Sequence, residues 1–445
     1  MKENFEKIEK KGFTLIESLV SIGIFVMLAM IVYATTLALI RESRLYRENT
    51  TLSGIADQYL EIARNLPYSQ IGTINGNPHG PLPDLPNAAT ANINDTTYQM
   101  YYAVSFVDDP ADGTAISGTD TVPNDYKQLK FYIKNTTTGV TSSFLSTVAP
   151  KGIESLGNDG VLYIKVFDSL GIAIPYAMIS IINTAITPNI NLNRITDANG
   201  NWAEVGLPSS ANSYRVTVTK NGYSTDRTYP ITTGNPNPTK PDATILNSQM
   251  TQVSFSIDKL SNLTLKTVNQ FCTTTSETGI GLRGEKIIGT PNVLKFNNTY
   301  SSNASGIVNL NNIEWDSYTP SLTTTNHMLY GSVPTQPLNL EPDTDQQITL
   351  VYGPKTTNSL LVIVKDSITG NLIEAASVNL REGSYDETIE TSSVGDCPLP
   401  GQVLFSNISS GANYTVIVNS DGYQTKTISD INISGNNLLQ VSLDH

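Results

Sequence analysis

Histidine and cysteine are scarce in this 445-residue chain, with three of the first and two of the second. The histidines, His79, His327 and His445, cannot assemble a zinc peptidase site. Neither HGPL nor HMLY has the H-x-x-E spacing of metal ligands on one helical face. No nucleophile-elbow sequence supports serine chemistry either. The expectation is therefore no enzyme, with no catalytic residue, no cofactor and no metal. Cys272 and Cys397 are too few for a disulfide scaffold and are not at zinc-finger spacing. They form either one bridge between modules or two separate thiols. Positive charge is also in short supply: 27 Lys and Arg against 40 Asp and Glu leave a net charge of −13. A phosphate backbone would be repelled by most of such a surface, so no nucleic-acid partner is expected. With 15% charged residues and a single long apolar run, the chain is too polar for a multi-span membrane protein and long enough for several domains.

That run lies in KKGFTLIESLVSIGIFVMLAMIVYATTLALI, Lys10 to Ile40. From Leu19 to Ile40 there are 22 residues without a charge, about 33 Å of helix, enough to cross a bilayer core. The small residue Gly12 precedes the run, whereas a secretory signal peptide places its cleavage site after it. One carboxylate, Glu17, remains near the start. In hydrocarbon it is costly and needs a partner or a proton.

KGFTLIESLVSIGIF resembles the N-terminus of type IV pilins and of the pseudopilins of type II secretion. The resemblance implies that a prepilin peptidase cuts between Gly12 and Phe13 and methylates the new Phe13 amine. Glu17 then becomes the fifth mature residue, the family's assembly glutamate. An amine freed at Phe13 is a turn away from Glu17 within one helix. In a filament, an incoming subunit's amine meets a neighbour's Glu17 and sets the axial register. Arg41, Arg44 and Arg47 balance Lys7, Lys10 and Lys11, so charge does not orient the helix. The resemblance places the leader in the cytoplasm and the bulk of the chain outside it, in a single-pass protein of a prokaryotic cell envelope.

Beyond Ile40, apolar residues at Leu45, Leu52, Ile55, Tyr59, Ile62 and Leu66 mark one helical face. Pro67 bounds the helix. Strand-like runs from Tyr98 and from Asp125 then predict a small antiparallel head. The remainder repeats three times. One marker is Gly171, Ile174 and Ile179, then Gly279, Leu282 and Ile287, then Gly370, Ile373 and Val378. A second marker follows about thirty residues later: Gly200, Val205 and Leu207, then Gly306, Leu310 and Ile313, then Gly401, Phe405 and Ile408. In the first copy Glu204 occupies the place held by Leu310 and Phe405. A tyrosine follows in each copy, at Tyr214, Tyr318 and Tyr414. The second copy lacks the closing Gly-Tyr pair of the other two. Alternation in VTVT, YTVIV and LQVSL predicts antiparallel strands with one buried face.

The fold class is α+β: a transmembrane stalk helix with a pilin-like head, then three tandem all-β, Ig-like or prealbumin-like sandwiches. Expected boundaries are leader 1–12, helix 13–66, head 67–150 and sandwiches 151–258, 259–352 and 353–445. VFDSLGIAIPYAMISI, TDANGNWAEVGLP and YRVTVTKNGY resemble the carboxypeptidase regulatory-like family, sandwiches related to transthyretin. Asp197, Asn199 and Asn201 in DANGN read as a tight turn rather than a calcium loop. Trp202 and Trp315 read as core or interface residues.

The functional expectation is a minor type IV pilin-like filament subunit displaying the sandwiches for surface adhesion or as a spacer. The alternatives are a pseudopilin of a type II-like secretion system and a membrane-anchored surface protein that never polymerises. The expected partners are prepilin peptidase, other pilin or pseudopilin subunits, the membrane and a surface protein or glycan ligand.

Overall fold

The computed structural model describes residues 14–93, 96–111, 113–114, 124–150, 159–324, 326–391, 393–394 and 397–445. The chain divides into two compact units, an N-terminal one formed by residues 1–109 and 123–155 and a C-terminal one formed by 110–122 and 156–445.

In the N-terminal unit a single helix, α1, runs from Leu15 to Arg64. Its first half has no cover: the large apolar side chains from Leu15 to Ile40 are exposed. Its second half packs on an antiparallel four-stranded sheet in chain order, Ala89–Ile93, Thr96–Val107, Tyr126–Asn135 and Thr141–Val148. The buried stripe is Leu52, Ala56, Leu60 and Ala63, set against Met100, Tyr102, Val104, Leu129, Phe131 and Ile133. This corrects the apolar face expected from sequence. Ile62 points away, 52% exposed, while Ile55, Tyr59 and Leu66 only flank the stripe. The Leu45 side chain lies outside the described residues. Two alanines in the stripe let the helix approach the sheet closely, a feature that counting large apolar residues overlooks. The Tyr102 hydroxyl donates to Tyr59 O across the contact, 2.8 Å. The Lys127 ammonium, almost fully buried, donates to the carbonyls of Tyr68 and Ile71 at 2.8 Å each and fixes the turn after the helix.

The C-terminal unit contains three sandwiches, each of two facing sheets. In the first, Asp159–Phe167 lies between Met250–Ser256 and Asn201–Pro208. The facing sheet is built on Met178–Asn183, Ile190–Ile195 and Ser210–Thr219. The second sandwich repeats this plan around Ser261–Asn269 and the third around Ser359–Asp366. The first and third entry strands are buried on both faces, which explains the near-continuous apolar runs VLYIKVF and LLVIV, whereas the second, SNLTLKTVN, alternates.

Not all pairing is antiparallel. In every sandwich the entry strand pairs parallel with the strand by which the chain leaves: Met250–Ser256, Asp345–Pro354 or Asn436–Leu443. Local alternation does not distinguish the two directions, so this corrects the purely antiparallel expectation. The second sandwich also gains a strand, His327–Val333, on the outer edge of its exit strand.

The repeat markers have shared physical roles. At the second marker Gly200, Gly306 and Gly401 all have positive φ (74°, 72° and 63°), and each accepts from an entry-strand amide: Val166 N–H (2.8 Å), Thr267 N–H (2.7 Å) and Val364 N–H (2.8 Å). A Cβ at Gly200 would stand 2.5 Å from Val166 O, and one at Gly306 2.6 Å from Thr267 O. Glu204 in the first copy is matched by a bulge at Gly206, which returns Val205 and Leu207 to the entry strand. Ile287 breaks the pattern and is 45% exposed, because Ile287–Thr290 leaves its sandwich to pair with Asn237–Pro238 of the first.

The three tyrosines are fully buried, each hydroxyl closing a corner on a carbonyl just upstream: Tyr214 on Pro208 (2.5 Å), Tyr318 on Glu314 (2.7 Å) and Tyr414 on Ser409 (2.9 Å). Burial pushes the Tyr214 hydroxyl up to about 12 and raises Tyr318 and Tyr414 as well. Tyr318→Phe, which keeps the ring and orphans a buried carbonyl, should lower the stability of the second sandwich by about 1–2 kcal/mol in chemical denaturation.

In the third sandwich the buried Asp366 accepts from the amides of Thr369 (2.7 Å) and Ile368 (2.8 Å) and from the Tyr423 hydroxyl (2.9 Å). The Thr369 amide, aided by these, holds the carboxyl below the usual carboxylate range. A depressed folded value stabilises above the unfolded value of about 4 and is lost as pH falls below it. The melting temperature of this sandwich should therefore drop on acidification below about pH 4, and Asp366→Asn should lower it at neutral pH while flattening that drop.

Candidate functional site

The helix begins where the sequence places the assembly signal. Thr14 is the N-cap and Glu17 the third helical residue, and together they close a capping box. The Thr14 amide and hydroxyl both donate to Glu17 Oε2, at 3.0 and 2.9 Å, and the Glu17 amide donates back to Thr14 Oγ1 at 3.3 Å. Glu17 is therefore not an isolated carboxylate. One oxygen is occupied within its own turn, where the helix dipole also favours negative charge. Oε1 has no partner among the described residues, and Glu17 is exposed. The T-x-x-E spacing of Thr14 and Glu17 is the sequence signal that identifies this arrangement. Gly12 and Phe13, the cleavage pair, lie outside the described residues.

Along the exposed apolar half, the polar Thr35 and Thr36 satisfy their hydroxyls on carbonyls a turn back, Ile31 O at 3.0 Å and Val32 O at 2.7 Å. Both threonine hydroxyls are thereby paired on a surface suited to lipid or to apolar neighbours. By length and hydropathy α1 can cross a membrane.

Of the open alternatives for the cysteines, the structure holds the bridge: Cys272 and Cys397 are joined, 125 residues apart. The bond ties the second sandwich to the third. Beside it the fully buried Leu399 packs with Val268, Met328, Tyr330 and Val351. Gln402, also fully buried, donates from Nε2 to Ser332 O (2.9 Å) and accepts from Ser332 N–H (3.2 Å).

The remaining sequence candidates are structural in their contacts. Asp197 Oδ1 accepts from the amides of Asn199 (2.9 Å) and Asn201 (2.7 Å), a closed turn. Trp202 donates to Glu204, whose carboxylate also receives Arg194 through two nitrogens, at 2.7 and 2.9 Å. Trp315 lies under the Lys286 ammonium, 3.2 Å from the ring centre. His327 meets Glu277 at 2.6 Å, and His445 meets Asp366 at 2.8 Å.

Among curated proteins, none matches this sequence. Solved structures that match this chain include the Bacillus anthracis TIE protein, 11% identical, covering 82% of this chain and 74% of that one with a TM-score of 0.19. The major pilin subunit BcpA of Bacillus cereus is 12% identical over 64% of this chain and 99% of its own, with a TM-score of 0.16. The pilus adhesin SpaC of Lactobacillus rhamnosus GG is 11% identical over 72% and 47%, with a TM-score of 0.19. Scores of this size carry no functional argument. Residues 9–33, in contrast, match the prokaryotic N-terminal methylation motif, so the chain opens with a prepilin-type signal leading into an apolar anchor helix.

Proposed function

We propose that the chain is a minor, pilus-type filament subunit. Prepilin peptidase severs Gly12 from Phe13 and methylates the new amine, α1 joins a filament, and the three sandwiches are displayed outside the cell as an adhesin or spacer. The observation that carries this reading is the methylation motif over residues 9–33, running directly into a helix whose apolar half has no cover from the rest of the unit. Identical helices packed head to tail make heterologous contacts that do not close, which is how helical filaments arise. Glu17 suits this role because it is exposed at the helix start, where an incoming amine can pair with it. The C-terminal unit makes the subunit a minor one: three sandwiches on every copy would crowd a uniform thin fibre, whereas a tip position or sparse incorporation avoids the clash. In this reading the chain acts through structure and contact, not catalysis.

Mass spectrometry of the purified protein should find an N-terminal peptide starting at methylated Phe13; a chain beginning at Met1 contradicts processing. Substitution at Glu17 separates two roles. Glu17→Gln keeps a side-chain acceptor for the Thr14 cap but removes the charge, whereas Glu17→Ala removes both. If charge pairing drives assembly, both should lower filament incorporation by about tenfold or more. Wild-type incorporation of the Gln variant would show that only the cap matters. Labelling the third sandwich for electron microscopy should place it on surface fibres; label confined to a periplasm points to a secretion pseudopilus, and diffuse membrane label to an anchor that does not polymerise.

A further inference from the structure

The three sandwiches share a wiring that the display role does not require. In each, the strand by which the chain enters and the strand by which it leaves are neighbours and run parallel, over 7, 8 and 8 residue pairs. Tension draws the entry strand backward and the exit strand forward, so parallel neighbours slide along each other. The evenly spaced bonds of a parallel ladder then share the load. A hairpin pulled at its open end instead yields one bond at a time.

The disulfide adds a second device. Cys272 lies just past the entry strand Ser261–Asn269 of the second sandwich. Tension entering at Ser261 runs along that strand to Cys272 and crosses covalently to Cys397 in the third sandwich. The residues between the cysteines are then outside the loaded path. Between the first two sandwiches the joint is backbone pairing of Asn237–Pro238 with Thr290 and Gly289, plus Lys295 Nζ donating to Thr225 O at 3.0 Å.

We propose that the C-terminal unit is built to carry tension, the first sandwich by a sheared entry–exit ladder and the second and third by the Cys272–Cys397 shunt. This rests on the reading above only in supposing that one end is fixed in a filament and the other loaded by a surface. The mechanical behaviour belongs to the chain itself, so a failure to assemble would not count against it.

In the first sandwich Val161 N–H donates to Gln249 O, and Ile257 N–H to Phe167 O, both at 3.0 Å. That alternation turns the odd-numbered exit-strand amides inward to the entry strand and the even-numbered ones outward. Ser256 N–H accordingly donates outward, to Asp226 Oδ2 at 3.0 Å. Val253→Pro therefore removes a ladder bond, whereas Gln252→Pro removes an outward amide.

The test is single-molecule stretching of the full chain in detergent micelles, with handles at both ends. The first sandwich should release in one abrupt step. Val253→Pro should raise its rupture rate at fixed force by about tenfold over Gln252→Pro. Moving the N-terminal handle to the exposed Asn221–Gly222 turn should abolish that step. Gly222 O accepts from Leu260 N–H at 2.9 Å, so the handle then sits beside the sandwich's exit. This arm needs no variant in the ladder and stands even if Val253→Pro does not fold. Reduction should lengthen the fully extended chain by 125 residues, about 43 nm. Gradual lengthening of the first sandwich, equal rupture rates for two folded proline variants, persistence of the step with the moved handle, or no gain on reduction would each overturn the proposal.

Discussion

The apolar half of α1 is the constraint on which the rest of the chain depends. From Leu15 to Ile40 large side chains stand exposed, with no cover among the described residues of the N-terminal unit. Water does not tolerate so large a continuous apolar surface on a lone subunit. It must be covered by lipid or by other apolar helices, and the same surface suits both. A surface of that kind is what the proposed filament subunit requires. The threonines inside the run bond to their own helix, and the one carboxylate sits in the first turn with a cap partner.

The lower half of the helix solves a different problem. Its small-residue stripe, with Ala56 and Ala63 fully buried, seats the head sheet directly on the stalk. Tyr102 and the buried Lys127 then fix the sheet to helix and turn through backbone carbonyls. Head and stalk therefore share one hydrophobic core. The C-terminal unit repeats a single answer three times: a central entry strand, a glycine accepting from its amide, a tyrosine corner and a parallel exit strand. Two departures from the repeat occur where sandwiches meet. Ile287 is exposed because its strand reaches across to the first sandwich, and the extra strand His327–Val333 supplies Ser332 to Gln402 of the third.

Much of this was legible in the residues because its causes are local. An uninterrupted apolar run fixes a helix of membrane length, and T-x-x-E fixes its cap. Gly200, Gly306 and Gly401 are needed wherever backbone must turn with positive φ against a carbonyl. Tyr214, Tyr318 and Tyr414 recur because each corner needs a ring to fill the core and a hydroxyl to meet a carbonyl. The helical face was harder to read, since alanine adds little apolar area while permitting close approach. Ile62 satisfied the spacing and still faces away.

By itself, then, the sequence determined where the anchor lies, how it starts, that the remainder repeats three times and which glycines and tyrosines each repeat needs. Each of these follows from interactions within a few residues or from a period along the chain. Only the tertiary structure decided that entry and exit strands run parallel and that Cys272 reaches Cys397. Pairing direction and disulfide partnership join segments far apart in the chain, and alternation or composition reads the same whichever way a distant strand arrives.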